Sequence, residues 1–217
     1  MRFPFAKNIK EEHFQISLLF LLVLAIFIVP NFSKSLHDIS YFVVYILILI
    51  NSVFCLRSNR KRMFVYVSIA LLSMLISRVF NMQILKIISS FVIAVFFSIV
   101  VGKILIQIAR SKLVDEGVIM ESISAYLLLG ILYSLFAEVI LFYFSGSIVF
   151  PDTDIPTTAD VIYFTFVTMT TLGYGDILPT LPIARSFAIL VSISGQIYLT
   201  VIIAMLVGKY ISQKQES

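Results

Sequence analysis

The chain has 217 residues, of which 60% are hydrophobic and only 13% are charged. This composition excludes a soluble domain, which has no use for so much apolar surface at this size, and indicates an integral membrane protein. The net charge of +4 does not indicate a nucleic-acid partner, because the basic residues cluster in short segments between apolar runs, as the positive-inside rule describes.

Six apolar runs are long enough, or nearly so, to cross a bilayer, which takes about 20 residues with about 17 as the lower bound. In chain order they cover residues 14–29, 39–56, 63–79, 84–109, 123–144 and 183–207. A seventh stretch, 159–171, is too short to cross and ends in a loop that contains glycine. It predicts a short helix that enters the membrane and turns back, with its irregular backbone buried in protein or lining water. The predicted fold class is an all-α membrane protein with six transmembrane helices and a re-entrant segment between helices five and six.

The basic residues predict the orientation of the chain. With the N-terminus in the cytoplasm, most Lys and Arg residues fall in cytoplasmic segments, and the outer segments hold only Lys34, Arg78, Lys86 and Arg185. This bias predicts that both termini are cytoplasmic and that the protein is a multi-pass protein of the cell membrane. The outer segment 145–160 then carries Asp152, Asp154 and Asp160, either as an ordinary solvated loop or as an acidic mouth that concentrates cations.

The loop after the short helix reads TTLGYGD, residues 170–176. A dehydrated cation needs oxygen ligands, and backbone carbonyls supply them when the backbone alternates in handedness, which glycine allows without steric cost. The carbonyls of Thr171, Leu172, Gly173 and Tyr174 and the Thr171 hydroxyl are the candidate ligands. The C-terminal end of the preceding helix, which is partially negative, also favours a cation.

The run Thr171-Leu172-Gly173-Tyr174-Gly175-Asp176 resembles the selectivity-filter signature of potassium channels, TVGYG. The resemblance covers roughly residues 120–210, with 161–170 similar to the pore helix, 123–144 to the outer pore helix and 183–207 to the inner one. It implies that Thr171 to Gly175 bind K⁺ as the permeant ion. It also implies a homotetramer, because four chains build one filter and this chain has a single signature. No cofactor and no bond chemistry are implied, so the protein is not expected to be an enzyme.

The sequence departs from the family pattern at three positions. Leu172 stands where valine is commonest, and its bulk alters the packing behind the filter. Tyr163 stands where tryptophan is frequent, and we expect it to hydrogen-bond Asp176 and brace the filter, with Thr170 as a further supporting residue. Val167 stands where some relatives have a glutamate that pairs with this aspartate, so that pair cannot form.

The sixth run contains a glycine and several polar residues that suggest further roles. Gly195 stands where relatives place a gating hinge, but glycine also serves close packing between membrane helices. Gln196 and Thr200 are one turn apart and either line a water-filled cavity below the filter or hydrogen-bond neighbouring helices. Leu199 and Ile203 are candidates for the narrower end of that cavity.

Two single residues stand out in the apolar runs. Glu138 is a carboxylate within the fifth run, which is a functional hypothesis by default, and its role stays open. Cys55, the only cysteine, cannot form an intrachain disulfide and is expected to act as a small buried hydrophobe.

The predicted domains are a cytoplasmic N-terminus 1–13, a four-helix scaffold 14–109, a linker 110–122, a pore domain 123–207 and a tail 208–217. The scaffold has the layout of a voltage sensor without its charges, because the fourth run has only Lys86 and Lys103 and no acidic residue occurs from 39 to 114. No ligand-binding domain is expected after the sixth run, because the ten residues that follow it are too few to fold into one. Leak, lipid or tension gating and proton gating all stay open, and the small size suggests a prokaryotic source.

Two alternatives to a potassium-selective channel remain. A non-selective cation pore or a silent channel subunit would keep the same fold, and Leu172 is its support. A membrane transporter or enzyme is less favoured, because the spans contain one carboxylate and no histidine, and a single re-entrant segment appears instead of corresponding ones in two halves. Membrane lipid is the remaining expected partner.

Overall fold

The computed structural model describes residues 9–32, 34–57, 60–111, 113–151 and 156–215. Within these residues the chain is almost entirely helical. The elements are α1 Ile9–Val23, α2 Lys34–Phe54, α3 Arg60–Phe80, α4 Gln83–Arg110, α5 Glu116–Tyr143, β1 Ile148–Val149, α6 Thr158–Met169, β2 Leu178–Pro179 and α7 Pro182–Gln215. The first helix continues through a π-helical turn, Leu24–Ile28, and a 3-10 turn, Val29–Asn31, and it ends there because Pro30 cannot donate a backbone hydrogen bond.

Five helical segments are long and apolar enough to cross a membrane, which supports a multi-pass membrane protein. They are His13–Asn31, Arg60–Phe80, Gln83–Arg110, Glu116–Tyr143 and Pro182–Gln215. The apolar part of α2, Ile39–Phe54, is shorter, so a sixth crossing stays a prediction. The helix α6 is also too short to cross, in line with the re-entrant segment expected from the sequence.

The helices α1 and α2 each begin five residues before the sequence-based bounds, and two other helix ends differ by more. The fifth helix begins at Glu116 instead of residue 123, because the Asp115 side chain caps it by accepting a hydrogen bond from Val118 N at 2.9 Å. The connection between α4 and α5 is therefore 111–115, which is shorter than the expected linker 110–122. At the other end of the pore region, α7 continues past residue 207 to Gln215 and takes up most of the expected tail.

The helices α1 and α4 pack mainly against α5 of the same chain, α3 packs on α4, and α6 lies between α5 and α7. Close packing of α6 on α5 depends on Gly130, where an added Cβ would lie 2.3 Å from Cζ of Phe166. A main apolar core runs through the bundle, and a smaller one around Phe150 and Phe164 lies beside the paired strands β1 and β2. The short helix is thus fixed by packing on both sides.

The bundle has two distinct ends. We call the end that carries the connection 111–115 the linker end, and the end that carries the TTLGYGD loop the loop end. At the linker end Glu121 accepts hydrogen bonds from Gln15, Gln107 and Arg57. At the loop end Glu138 lies between α4 and the start of α6. Arg57 and Glu121, which lie in two segments predicted on the same side of the membrane, therefore meet at the same end of the bundle.

Candidate functional site

The start of α6 is fixed by a capping box. The Thr157 hydroxyl accepts a hydrogen bond from Asp160 N at 3.3 Å, and the Asp160 carboxylate accepts one from Thr157 N at 2.8 Å. The carboxylate therefore has a local structural role in the helix cap, and the acidic-mouth hypothesis stays a prediction. The other two aspartates of that hypothesis, Asp152 and Asp154, lie outside the described residues.

The end of α6 turns directly into the TTLGYGD loop. Thr170 closes the helix, since its backbone N–H and its hydroxyl both donate to the carbonyl of Phe166, at 2.9 and 2.7 Å. The carbonyl of Val167 then accepts from the N–H groups of Leu172 and Gly173, at 3.0 and 3.2 Å. The first loop residues are thus held against the last turn of the helix by backbone hydrogen bonds, and this role of Val167 has no signature in the sequence.

The backbone of the loop alternates in handedness. Thr171, Gly173 and Gly175 have φ values of +60°, +57° and +81°, whereas Leu172 and Tyr174 between them have no positive φ. Such an alternation turns successive carbonyls towards one side of the strand, which is the arrangement a row of carbonyl ligands requires. A left-handed threonine costs about 1–2 kcal/mol, and strain of this kind concentrates at functional sites.

A hydrogen bond ties the loop to the middle of α6. Tyr163 Oη donates to Asp176 Oδ2 at 2.6 Å, which is the contact expected from the sequence. This hydrogen bond holds the pKa of the Asp176 carboxyl below its usual value and raises the pKa of Tyr163 to about 12. Among the described contacts, Thr170 has no hydrogen bond to Tyr163 or Asp176. It supports the loop through the hydrogen bonds that its hydroxyl donates to the last turn of α6.

Gly195 of α7 lies against the end of α6. It is buried, and an added Cβ would lie 2.3 Å from the carbonyl oxygen of Met169 and 2.7 Å from its Cγ. The helix α7 can approach the end of α6 this closely only because position 195 has no side chain. Between the two interpretations of this glycine, the geometry favours close packing over a hinge, and α7 is continuous from Pro182 to Gln215.

The polar residues of α7 divide between two environments. Gln196 is exposed, and its Nε2 lies 3.5 Å from Oγ1 of Thr171, so this side chain of α7 contacts the loop. The hydroxyl of Thr200 donates to the carbonyl of Gln196 at 2.8 Å and so bonds within its own helix. Ile203 is exposed, but Leu199 is partly buried against the main core, which does not favour a place for it in a cavity.

The two carboxylates of α5 have different surroundings. Glu138 accepts hydrogen bonds from Ser90 of α4 at 3.0 Å and from Thr158 of α6 at 3.5 Å, so it joins three helices at the loop end. Glu121, which the sequence analysis placed in a linker, is 3% exposed and joins α5 to α1, α4 and the segment after α2. The sequence signal for this placement was Asp115, a residue type that favours the N-cap position. A helix that begins after Asp115 includes Glu121.

Cys55 is buried as expected, and its thiol donates to the carbonyl of Phe14 at 3.3 Å. This contact lies at the linker end, away from the loop. The thiol therefore belongs to the packing of α1 on the end of α2.

Residues 127–212 match a family model described as Ion channel. The match covers most of α5, the short helix, the TTLGYGD loop and nearly all of α7. It supports a passive ion channel in a multi-pass membrane protein, and a channel in preference to an enzyme. No curated protein and no solved structure matches the chain.

Proposed function

We propose that this chain is one subunit of a potassium-selective channel in which the TTLGYGD loop is the selectivity filter. The observation that carries the proposal is the alternation of left-handed backbone at Thr171, Gly173 and Gly175, directly after a short helix that ends at the loop. Carbonyls aligned in this way replace the hydration shell of a cation, and the partially negative helix end favours its charge.

The proposed ligands are the carbonyl oxygens of Thr171, Leu172, Gly173 and Tyr174 with the hydroxyl of Thr171. No reaction takes place: K⁺ moves down its gradient, and each step exchanges water or carbonyl oxygens around the ion. Asp176 and Tyr163 brace the outer end of the filter by their 2.6 Å hydrogen bond. The match to an ion channel family agrees with passive transport but does not specify the ion.

A tetramer is proposed because one loop supplies only one side of an ion path. Every residue from Thr170 to Asp176 is exposed on the single chain, and a cavity of about 340 Å³ lies along the loop. The adjoining face of α7 is apolar and exposed, with Ile193, Ile197 and Ile203 each more than half exposed. Three further copies would cover these surfaces and complete the filter.

The proposal includes six crossings, with both termini in the cytoplasm and lipid around the outer helices. The front half, α1 to α4, acts as a scaffold in this proposal. Moving one charge through 100 mV is worth about 2.3 kcal/mol, and the fourth helix lacks the regular arginines that would couple the pore to voltage. Its lysines, Lys86 and Lys103, lie near opposite ends of α4.

A non-selective cation pore or a silent subunit is the second candidate, and Leu172 is the residue that favours it. The Leu172 side chain is bulkier than the valine that is commonest at this position, and it is 54% exposed beside the filter, where its bulk changes the packing. A transporter or enzyme has no comparable observation in its favour.

Ion flux from purified protein in liposomes, with K⁺ inside and Na⁺ outside, tests the proposal. We expect K⁺ flux that Ba²⁺ blocks, with little Na⁺ flux. Equal K⁺ and Na⁺ fluxes would favour the second candidate, and the absence of any flux from folded tetramers would favour a silent subunit.

Gly175→Ala is the matching variant. It should abolish K⁺ selectivity or conduction, because alanine at φ +81° is strained by about 1–2 kcal/mol. Gly208→Ala is the control, since position 208 is equally open but has no positive φ. Normal selectivity in a folded Gly175→Ala tetramer would show that the filter assignment is wrong.

A further inference from the structure

The side chain of Gln196 lies beside the Thr171 end of the TTLGYGD loop, on a face of α7 that is otherwise apolar. Ile193 and Ile197 flank it on this face, and each is more than half exposed on the single chain. A polar side chain within a membrane span is costly unless it faces protein or water. In the proposed tetramer this face borders the ion path, so Gln196 stands next to the path at the end of the filter.

The backbone of Gln196 is held at a fixed distance from the loop. At the preceding residue, Gly195, an added Cβ would lie 2.3 Å from the carbonyl oxygen of Met169, so α7 rests directly against the end of α6. Met169 is only two residues before Thr171. The contact of 3.5 Å between Gln196 Nε2 and Thr171 Oγ1 therefore joins two segments whose backbones are already packed together.

The hydrogen bonds of the Thr171 hydroxyl determine which end of the Gln196 amide faces it. This hydroxyl donates to the carbonyl of Thr170 at 2.6 Å. A hydroxyl has one proton to donate and two lone pairs that accept. Since the proton is already used, the group of Gln196 that faces Oγ1 must be a donor, which is Nε2 and not the carbonyl oxygen. One lone pair of Oγ1 therefore faces an amide N–H, and the other is left for a cation.

This orientation brings the positive end of a dipole close to a proposed cation ligand. In the proposed filter, Thr171 offers both its carbonyl and its hydroxyl to an ion, and four chains would place four Gln196 amides around that site. Each N–H repels the charge of the ion. The contact is longer than an ordinary N–H···O hydrogen bond, so the amide weakens the ion site without taking over the hydroxyl. Conduction requires an ion to bind favourably enough to enter and weakly enough to leave.

We propose that Gln196 is a positioning residue that orients the Thr171 hydroxyl and weakens cation binding at that end of the filter. This inference rests on the proposed channel function and deepens it. By weakening the site, Gln196 speeds the exchange of K⁺ there and disfavours divalent cations. The repulsion is proportional to the charge of the ion, so its effect on the binding free energy of Ba²⁺ is about twice its effect on that of K⁺.

The test compares Gln196→Met and Gln196→Glu with Gln83→Met, the control for the loss of an exposed amide. Gln83 is exposed at the first residue of α4. In liposomes at matched tetramer content, Ba²⁺ inhibition of K⁺ flux should become about tenfold stronger in Gln196→Met, a factor that corresponds to about one ordinary hydrogen bond spread over the four contacts. The flux without Ba²⁺ should fall about threefold, the effect of half that free energy on K⁺. Gln196→Glu should strengthen the inhibition further, because a carboxylate attracts the cation, and Gln83→Met should match the wild type.

Calorimetric titration of the purified tetramers with Ba²⁺ and with K⁺ supplies a readout that does not depend on conduction. The dissociation constant of Gln196→Met should fall about tenfold for Ba²⁺ and about threefold for K⁺. Unchanged or weaker Ba²⁺ binding would overturn the inference, and so would equal changes for the two ions, which a general distortion of the filter would produce. Absence of K⁺ flux and of Ba²⁺ binding in the wild type would overturn the channel function and this inference with it. Selective, Ba²⁺-sensitive flux in the wild type with unchanged Ba²⁺ binding in Gln196→Met would overturn the inference alone.

Discussion

Replacement of Gly195 by alanine tests the contact between the inner helix and the end of α6. The added Cβ would lie 2.3 Å from the Met169 carbonyl oxygen, whereas ordinary contact begins at 3.4 Å, so the two backbones must separate by about 1 Å. The Met169 side chain can adjust, but its carbonyl cannot move without moving Thr170 and Thr171. Overpacking of this kind costs about 1–3 kcal/mol.

Gly208→Ala is the matched control on the same helix, because an added Cβ there meets nothing within 4 Å. Both changes gain helix propensity, by about 0.5–1 kcal/mol, so that gain cancels in the comparison. We expect the free energy of unfolding of Gly195→Ala, measured by denaturant titration in detergent, to be about 1–3 kcal/mol lower than that of Gly208→Ala.

The ion selectivity of the filter should change as well, because the displaced carbonyl of Met169 directly precedes the loop. We expect the K⁺/Na⁺ flux ratio of Gly195→Ala to fall while that of Gly208→Ala stays at the wild-type value. A hinge would behave differently, with stability equal to that of the control and a changed open fraction at constant selectivity. Equal stability and equal flux ratios in the two variants would refute the close contact described here.

Three further predictions concern the pH response, a buried polar cluster and voltage. The hydrogen bond from Tyr163 lowers the pKa of Asp176, so its stabilising contribution is present above the ordinary aspartate pKa and is lost as the pH falls through the lowered value. Tyr163→Phe should therefore move the acid-induced loss of K⁺ flux to higher outside pH, and an unmoved flux titration would contradict this link. Glu121→Leu should lower the free energy of unfolding by about 1–3 kcal/mol, because it removes the acceptor of the buried Gln15 amide, whereas Glu121→Gln retains an acceptor oxygen and should cost less. Equal thermal denaturation of the two variants would argue against this cluster. The open probability of single channels in a planar bilayer should depend only shallowly on voltage, and a dependence worth several charges per channel would show that the front half is a sensor.

The candidate site was readable from the sequence to the extent that its determinants are local. The TTLGYGD run, the length of the short helix and the flanking apolar runs predict the order helix, loop, helix, because backbone handedness and hydropathy are properties of neighbouring residues. The hydrogen bond between Tyr163 and Asp176 was expected from the resemblance to potassium-channel filters, and both partners belong to the same short helix and the loop that follows it.

Contacts between distant parts of the chain were not readable in this way. The sequence left Gly195 between hinge and packing, because only the position of Met169 decides what a Cβ would meet there. It placed Glu121 in a linker, because the side chains that donate hydrogen bonds to its carboxylate come from three other segments of the chain. The sequence also did not indicate that Lys209 donates hydrogen bonds to the carbonyls at the end of α4. Every residue has a backbone carbonyl, so no sequence pattern marks such partners.

The sequence by itself determined the membrane class, the position of the loop and its possible ligands, because hydropathy and glycine placement act over a few neighbouring residues. Only the tertiary structure decided which helix faces which, where α5 begins and how the front half is joined to the pore helices. Those features depend on distances between residues that are 50 to 100 positions apart, such as Arg57 and Gln107 or Ile108 and Lys209, and packing alone brings such residues together.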